Sequence, residues 1–112
     1  TLDVDGSPFD YRTGRLIGPA NVDHCFTDLA RDSDGVATVT LAAGDRRVRL
    51  WLDASYRYVQ VFTGDTLVPA RRRRGLAVEP MTCPPDAFRS GTALHVLEPG
   101  RGVDTTWGIA VG

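Results

Sequence analysis

Lysine is missing from this sequence: all thirteen basic residues are arginine, a compositional bias that points to no activity by itself. Cysteine is almost as scarce. Cys25 and Cys83 stand alone, too few for the disulfide framework of a small secreted domain, so the reading is a reducing, cytoplasmic setting. With His24 and His95 they make four possible metal ligands, yet no Cys-x-x-Cys or His-x-x-x-His pair occurs among them, and no metal site is expected. His24 and Cys25 are neighbours, and in an extended segment neighbours point to opposite faces, which argues against a nucleophile and base pair. Long apolar runs are lacking too. None approaches a membrane span, and the opening Thr-Leu-Asp is neither basic nor a signal-type stretch; it reads as a chain that has lost its native start, with any leader upstream. Neither sign of charge dominates: the net charge is −1, which supplies no general attraction to nucleic acid or to an anionic membrane.

What is present is an ordinary globular balance, 42% hydrophobic and 24% charged over 112 residues, the length of one domain. Seven prolines and twelve glycines lie scattered between short apolar runs. That pattern predicts an all-β chain of short strands and tight turns. Residues Asp3 to Gly18 read as a turn-rich connection. Asn21 to Leu29 alternates weakly, setting Val22, His24 and Phe26 against Asp23 and Cys25. Asp32-Ser33-Asp34-Gly35 looks like the start of a calcium loop, but its twelfth position is Ala43 where a glutamate is needed, so it is a turn.

Val36 to Ala43 and Arg46 to Asp53 both have period two and are joined by Gly44-Asp45, the signature of a two-residue hairpin. Val39, Leu41, Val48, Leu50 and Leu52 are assigned to the core, Trp51 to an outer face that needs a partner. Tyr56 to Phe62 reads as a third strand with Val59 and Val61 inward and Tyr56, Tyr58, Gln60 and Phe62 outward. Such a row is compatible with plain cross-strand packing. It is also what binds a sugar, since aromatic rings stack on its C–H face while fixed polar groups read its hydroxyls. The run Arg71 to Arg74 is open to two readings, a solvated loop or a phosphate contact. Gly75 to Glu79 reads as a strand stopped by Pro80, which leaves the carboxylate of Glu79 at the strand mouth. Leu76 and Val78 would face a core, Ala77 and Glu79 a cleft or water. Beyond Pro84-Pro85 the expectation is an extended loop through Phe88 and Ser90, a strand at Ala93 to Leu97, a turn at Glu98-Pro99-Gly100 and a last strand from Asp104 to Val111.

Five stretches, Gly6-Ser7-Pro8-Phe9-Asp10-Tyr11-Arg12, Ile17-Gly18, Val22-Asp23-His24-Cys25-Phe26, Gln60-Val61-Phe62-Thr63-Gly64-Asp65 and Gly75-Leu76-Ala77-Val78-Glu79-Pro80, occur in an order that resembles the C-terminal part of the aldose 1-epimerases, or galactose mutarotases. Leu97-Glu98-Pro99-Gly100 extends the match over nearly the whole chain. The resemblance implies an antiparallel β-sandwich of the galactose mutarotase-like type, of which residues 1–112 are a partial, C-terminal segment, with an extended sheet that binds the sugar. By motif position Glu79 is the general base, Asp23 a ligand of sugar hydroxyls and Gln60 a second polar contact. A glucose or galactose type monosaccharide is the implied substrate, no cofactor is required, and the upstream part of the same polypeptide is the implied partner. The general acid and its companion histidine fall upstream, and neither His24 nor His95 matches them. The Met81-Thr82-Cys83-Pro84-Pro85 run departs from the family pattern and marks a divergent branch.

Anomer interconversion needs a base for the anomeric hydroxyl and an acid for the ring oxygen. A carboxylate shielded in an apolar cleft is the better base near neutrality, and Ala77, Pro80 and Met81 are suited to give that shielding. Two alternatives stay open: a non-catalytic sugar-binding module of the same fold, and epimerisation of hexose 6-phosphates, which would use Arg71 to Arg74.

Overall fold

The computed structural model describes residues 1–112. In chain order the strands are β1 (Asp23–Phe26), β2 (Ala37–Ala43), β3 (Arg46–Leu52), β4 (Tyr58–Phe62), β5 (Ala77–Met81) and β6 (Trp107–Val111). One turn of 3-10 helix lies at Pro69–Arg71 and one short helix, α1, at Ala87–Ser90. No helix is long and apolar enough to cross a membrane. The strands form two antiparallel three-stranded sheets, in the orders β1-β4-β5 and β2-β3-β6.

The expected hairpin is present, with Val39 opposite Leu50 and Leu41 opposite Val48. Gly44 makes it possible at φ +60°, the left-handed geometry of a two-residue hairpin turn. The third strand of this sheet, β6, pairs Ile109 with Leu50 and Trp107 with Leu52. Because side chains alternate, one face of the sheet is almost wholly apolar. Its centre, Ala37, Leu50 and Leu52, packs on Val59 of β4, with Phe26, Val39, Val61 and Val78 around them. This contact joins the two sheets into an antiparallel β-sandwich.

Trp51 lies on the opposite face and finds its partner within its own sheet. It is paired with Gly108, and a Cβ at that glycine would stand 2.6 Å from the indole. The ring therefore covers bare backbone that no other residue type would leave free.

Several local expectations are corrected. The strand at Gly75 to Glu79 is not stopped by Pro80: β5 runs on to Met81, and Pro80 pairs with Val59. An edge strand tolerates proline because its outward N–H groups have no ladder partner to lose, and β5 is an edge. Glu79 consequently sits in mid-strand, beside Gln60, and not at a strand mouth. Phe88 and Ser90 belong to α1, whose single turn ends at Gly91 with φ +73°. Ala93 to Leu97 is not a strand: Ala93 is in the left-handed region at φ +51°, the segment pairs with nothing, and Val96 is 77% exposed. Tyr56 leaves the outward aromatic row; it packs against the core and its hydroxyl bonds Thr105 Oγ1 at 2.8 Å.

The core is thin. Only eight of 112 residues are buried, and the radius of gyration is 15.5 Å, against about 13 Å for a compact chain of this length. On the inward face of β6, Trp107, Ile109 and Val111 are 49%, 59% and 81% exposed, so the apolar face of that sheet extends beyond what the other sheet covers.

Two outcomes follow from this packing. Gly108→Ala drives a methyl into the Trp51 indole and lowers stability by about 1–3 kcal/mol, the usual cost of overpacking, measured by equilibrium denaturation. The isolated chain self-associates through the uncovered flank of β6, and Ile109→Lys suppresses the association in sedimentation velocity; a monodisperse wild-type monomer at all concentrations would contradict this.

Candidate functional site

The outer face of β4 carries the site. Val59 is buried and Val61 packs partly buried beside the same core, which turns Tyr58, Gln60 and Phe62 to the other side. Pairing with both neighbours then sets Cys25, Gln60 and Glu79 in one row across the sheet, and Asp23, Phe62 and Ala77 in the next. Cβ atoms in such rows lie roughly 4.5–5.5 Å apart. Gln60 Nε2 donates to Asp23 Oδ1 at 2.8 Å. A carboxylate only accepts, so the amide nitrogen must face it; the carbonyl oxygen, Oε1, is left buried without a donor. Glu79 is exposed and enters none of the four ion pairs of the chain.

All three sequence-predicted residues, Asp23, Gln60 and Glu79, are thus on one face, with Gln60 between the two carboxylates, bonded to Asp23 and opposite Glu79. The shielding expected for Glu79 is not supplied: Ala77, Pro80 and Met81 leave it on an open sheet surface. Two hollows, of about 360 and 220 Å³, lie elsewhere, the first along Arg15 to Ala20 and the second between Ile17, Leu41 and Arg73.

Burial, and secondarily the nearby Cys83, pushes the Cys25 thiol above its ordinary value of 9.0, so at neutral pH it is a protonated, inert neighbour of Gln60. Both cysteines are free. No group of three or more His, Cys, Asp and Glu side chains is placed to hold a metal ion. In the N-terminal turns Arg12 donates to Asp10 through Nε at 2.8 Å and Nη2 at 2.6 Å. That fork lowers Asp10 to about 2.

Around the site the structure shows contacts that the sequence does not. Phe9 stacks on His24 with ring centroids 4.2 Å apart, and His24 Nδ1 accepts the Asp23 N–H at 3.1 Å. The turn after β4 bonds the residue before Asp23: Thr63 Oγ1 accepts the Val22 N–H at 2.9 Å. The arginine run is an exposed loop, as one of the two sequence readings has it, and three of its side chains also bond within the chain. Arg72 Nε donates to the Leu67 carbonyl at 3.0 Å, Arg73 bonds Gly18, Ala20 and Asp65, and Arg74 Nη1 reaches the Ala70 carbonyl at 3.5 Å. Three of the four thereby make hydrogen bonds within the chain, while all four residues remain exposed. The only sequence signal for this was the Thr63-Gly64-Asp65 turn, since four identical arginines do not say which one is held.

An antiparallel sandwich with a polar and aromatic outer sheet face is a common arrangement for carbohydrate recognition. Residues 1–107 match the aldose 1-epimerase family, and the chain belongs to that family. Among curated proteins, YihR of Escherichia coli strain K12, which carries the description "uncharacterized protein", is 33% identical over 98 residues, covering 88% of this chain and 29% of YihR. The chain therefore spans less than a third of that relative's length. No solved structure matches it.

The Thr63 hydroxyl first, and Arg73 second, hold the Asp65 carboxyl below its ordinary value of 3.8. A carboxylate depressed in the folded state stabilises the fold above its unfolded value, and that stabilisation is lost as pH falls through the folded one. Asp65→Asn accordingly lowers the thermal midpoint at pH 7, and the gap from wild type narrows below about pH 4. Paired thermal melts from pH 7 to pH 2.5 check it; a gap independent of pH would contradict the assignment.

Proposed function

We propose that this chain is the base-bearing part of an aldose 1-epimerase that interconverts the α and β anomers of an aldohexose. The observation that carries the reading is the strand pairing that puts Asp23, Gln60 and Glu79 on one face, Gln60 between the two carboxylates, with Tyr58 and Phe62 on the same face, in a chain of this family.

In this mechanism the sugar lies on the outer face of β4, its C–H side against Tyr58 and Phe62. Asp23 accepts hydrogen bonds from ring hydroxyls, and its bond to Gln60 fixes which lone pairs remain available. Gln60 Oε1, which has no donor in the chain, is an acceptor that a sugar hydroxyl can meet after a small turn of the amide. Glu79, free of ion pairs, takes the proton from the anomeric hydroxyl while an acid supplied by the upstream part of the polypeptide protonates the ring oxygen. The bond between the anomeric carbon and the ring oxygen breaks, leaving an open-chain aldehyde. After rotation about the adjacent C–C bond the ring oxygen attacks the other face, and both protons return. No redox change occurs, and no cofactor is needed for the step. The upstream residues that complete the sheet also supply the shielding that Glu79 lacks here. A reducing cytoplasm suits the two free thiols.

The test uses the polypeptide in which this chain is joined to its upstream part, assayed by polarimetry of freshly dissolved α-anomer and corrected for spontaneous mutarotation. Glu79→Gln keeps shape and removes the proton acceptor, so turnover falls on the order of 10²- to 10⁴-fold while sugar affinity, followed by tryptophan fluorescence, is kept. Asp23→Asn weakens affinity together with turnover, because its bonds are present in ground and transition states alike. A Glu79→Gln protein that equilibrates anomers at the wild-type rate rules out Glu79 as base. A wild-type protein that binds sugar without turnover is the non-catalytic module.

A further inference from the structure

Arg73 differs from its three neighbours in what it holds. Its Nη1 donates to the Ala20 carbonyl at 2.9 Å and to Asp65 Oδ1 at 2.9 Å, and its Nη2 donates to the Gly18 carbonyl at 2.6 Å. One guanidinium thus ties the loop that enters β1, more than fifty residues before it in the chain, to the turn that leaves β4. Its side chain is only 34% exposed and that of Asp65 20%.

The connection continues inward. Asp65 Oδ2 accepts from the Thr63 hydroxyl. Thr63 Oγ1 accepts the Val22 N–H, and the Thr63 N–H donates to the Val22 carbonyl at 2.9 Å. Thr63 and Val22 are 3% and 1% exposed, so these bonds are shielded from water and cannot be exchanged for it at low cost. The residue after Val22 is Asp23. Val22 is therefore clamped on both its N–H and its carbonyl, and the direction in which the chain delivers Asp23 to Gln60 is fixed from behind.

We propose that Arg73 is a positioning residue for Asp23, acting through Asp65, Thr63 and the backbone of Val22 rather than on substrate. The consequence for sugar binding rests on the reading of Asp23 given above; the positioning itself does not. The bonds to Ala20 and Asp65 leave from Nη1 and the bond to Gly18 from Nη2, a spread over two nitrogens of one planar group that the single nitrogen of a lysine does not reproduce.

The experiment has two arms. In the polypeptide that joins this chain to its upstream part, amide exchange at Val22 and Thr63 and the side-chain amide resonances of Gln60 are compared by NMR among wild type, Arg73→Met, Arg73→Lys and Asp23→Asn. Arg73→Met speeds exchange at Val22 and Thr63 by about tenfold or more, leaves the β2–β3 hairpin amides protected, and moves the Gln60 resonances toward those of Asp23→Asn. Arg73→Lys, which keeps the charge, gives an intermediate shift and decides the matter if Arg73→Met does not fold. Unchanged exchange overturns the proposal, and so does faster exchange with unmoved Gln60 resonances, which would make Arg73 a loop anchor only. In the same polypeptide, Arg73→Met weakens sugar affinity about tenfold in the wild-type background and adds no loss to Asp23→Asn. An equal loss in both backgrounds overturns it. If Asp23→Asn leaves sugar affinity intact while the Gln60 resonances move in Arg73→Met, the sugar reading of Asp23 fails and the positioning of Asp23 by Arg73 stands.

Discussion

Everything at the outer face follows from the burial of two valines. Val59 and Val61 are held against the β2-β3-β6 sheet, and alternation leaves Gln60 no choice but to face outward between Cys25 and Glu79. A slip of one residue in β4 would bury the amide and expose the valines. The apolar contact between sheets therefore specifies the polar geometry on the far side. Side-chain chemistry at the candidate site is thus anchored by residues that never touch it.

The sequence was most legible where one rule acted alone. Alternation and a glycine turn sufficed for the β2–β3 hairpin, and alternation again turned Gln60 away from the inward valines of its strand. It was least legible where the outcome depended on a partner distant in the chain. Pro80 reads as a strand stop in isolation; that it is harmless follows from β5 lying at an edge, which only the sheet order reveals. Ala93 to Leu97 has strand composition but nothing to pair with, and composition without a partner does not make a strand. Tyr56 fits the alternation of β4, yet the Asp53–Tyr56 turn, closed by the Tyr56 N–H on the Asp53 carbonyl at 3.2 Å, swings it into the core before the strand begins. Arg73 was invisible among four arginines because its role is set by carbonyls at Gly18 and Ala20, more than fifty residues earlier in the chain.

The openness of the structure and its family membership are consistent with each other. Glu79 lies on a bare sheet surface, the inward side of β6 is uncovered, and the chain spans 29% of the length of its relative YihR. A carboxylate proposed as a base gains from exclusion of water, and the exposed face here has no walls to provide it.

Pro80 has one more effect, on which way the molecule can grow. A strand lying alongside β5 would meet a main chain with one hydrogen donor missing and a ring in its place, a poor template for extension. The rim formed by β6 carries no proline from Trp107 to Val111 and keeps all of its outward amides. The two sheets are therefore unequal as seeds for further β-structure: one is blunted along its β5 side by its own covalent chemistry, while the other stays open to whatever strand arrives next.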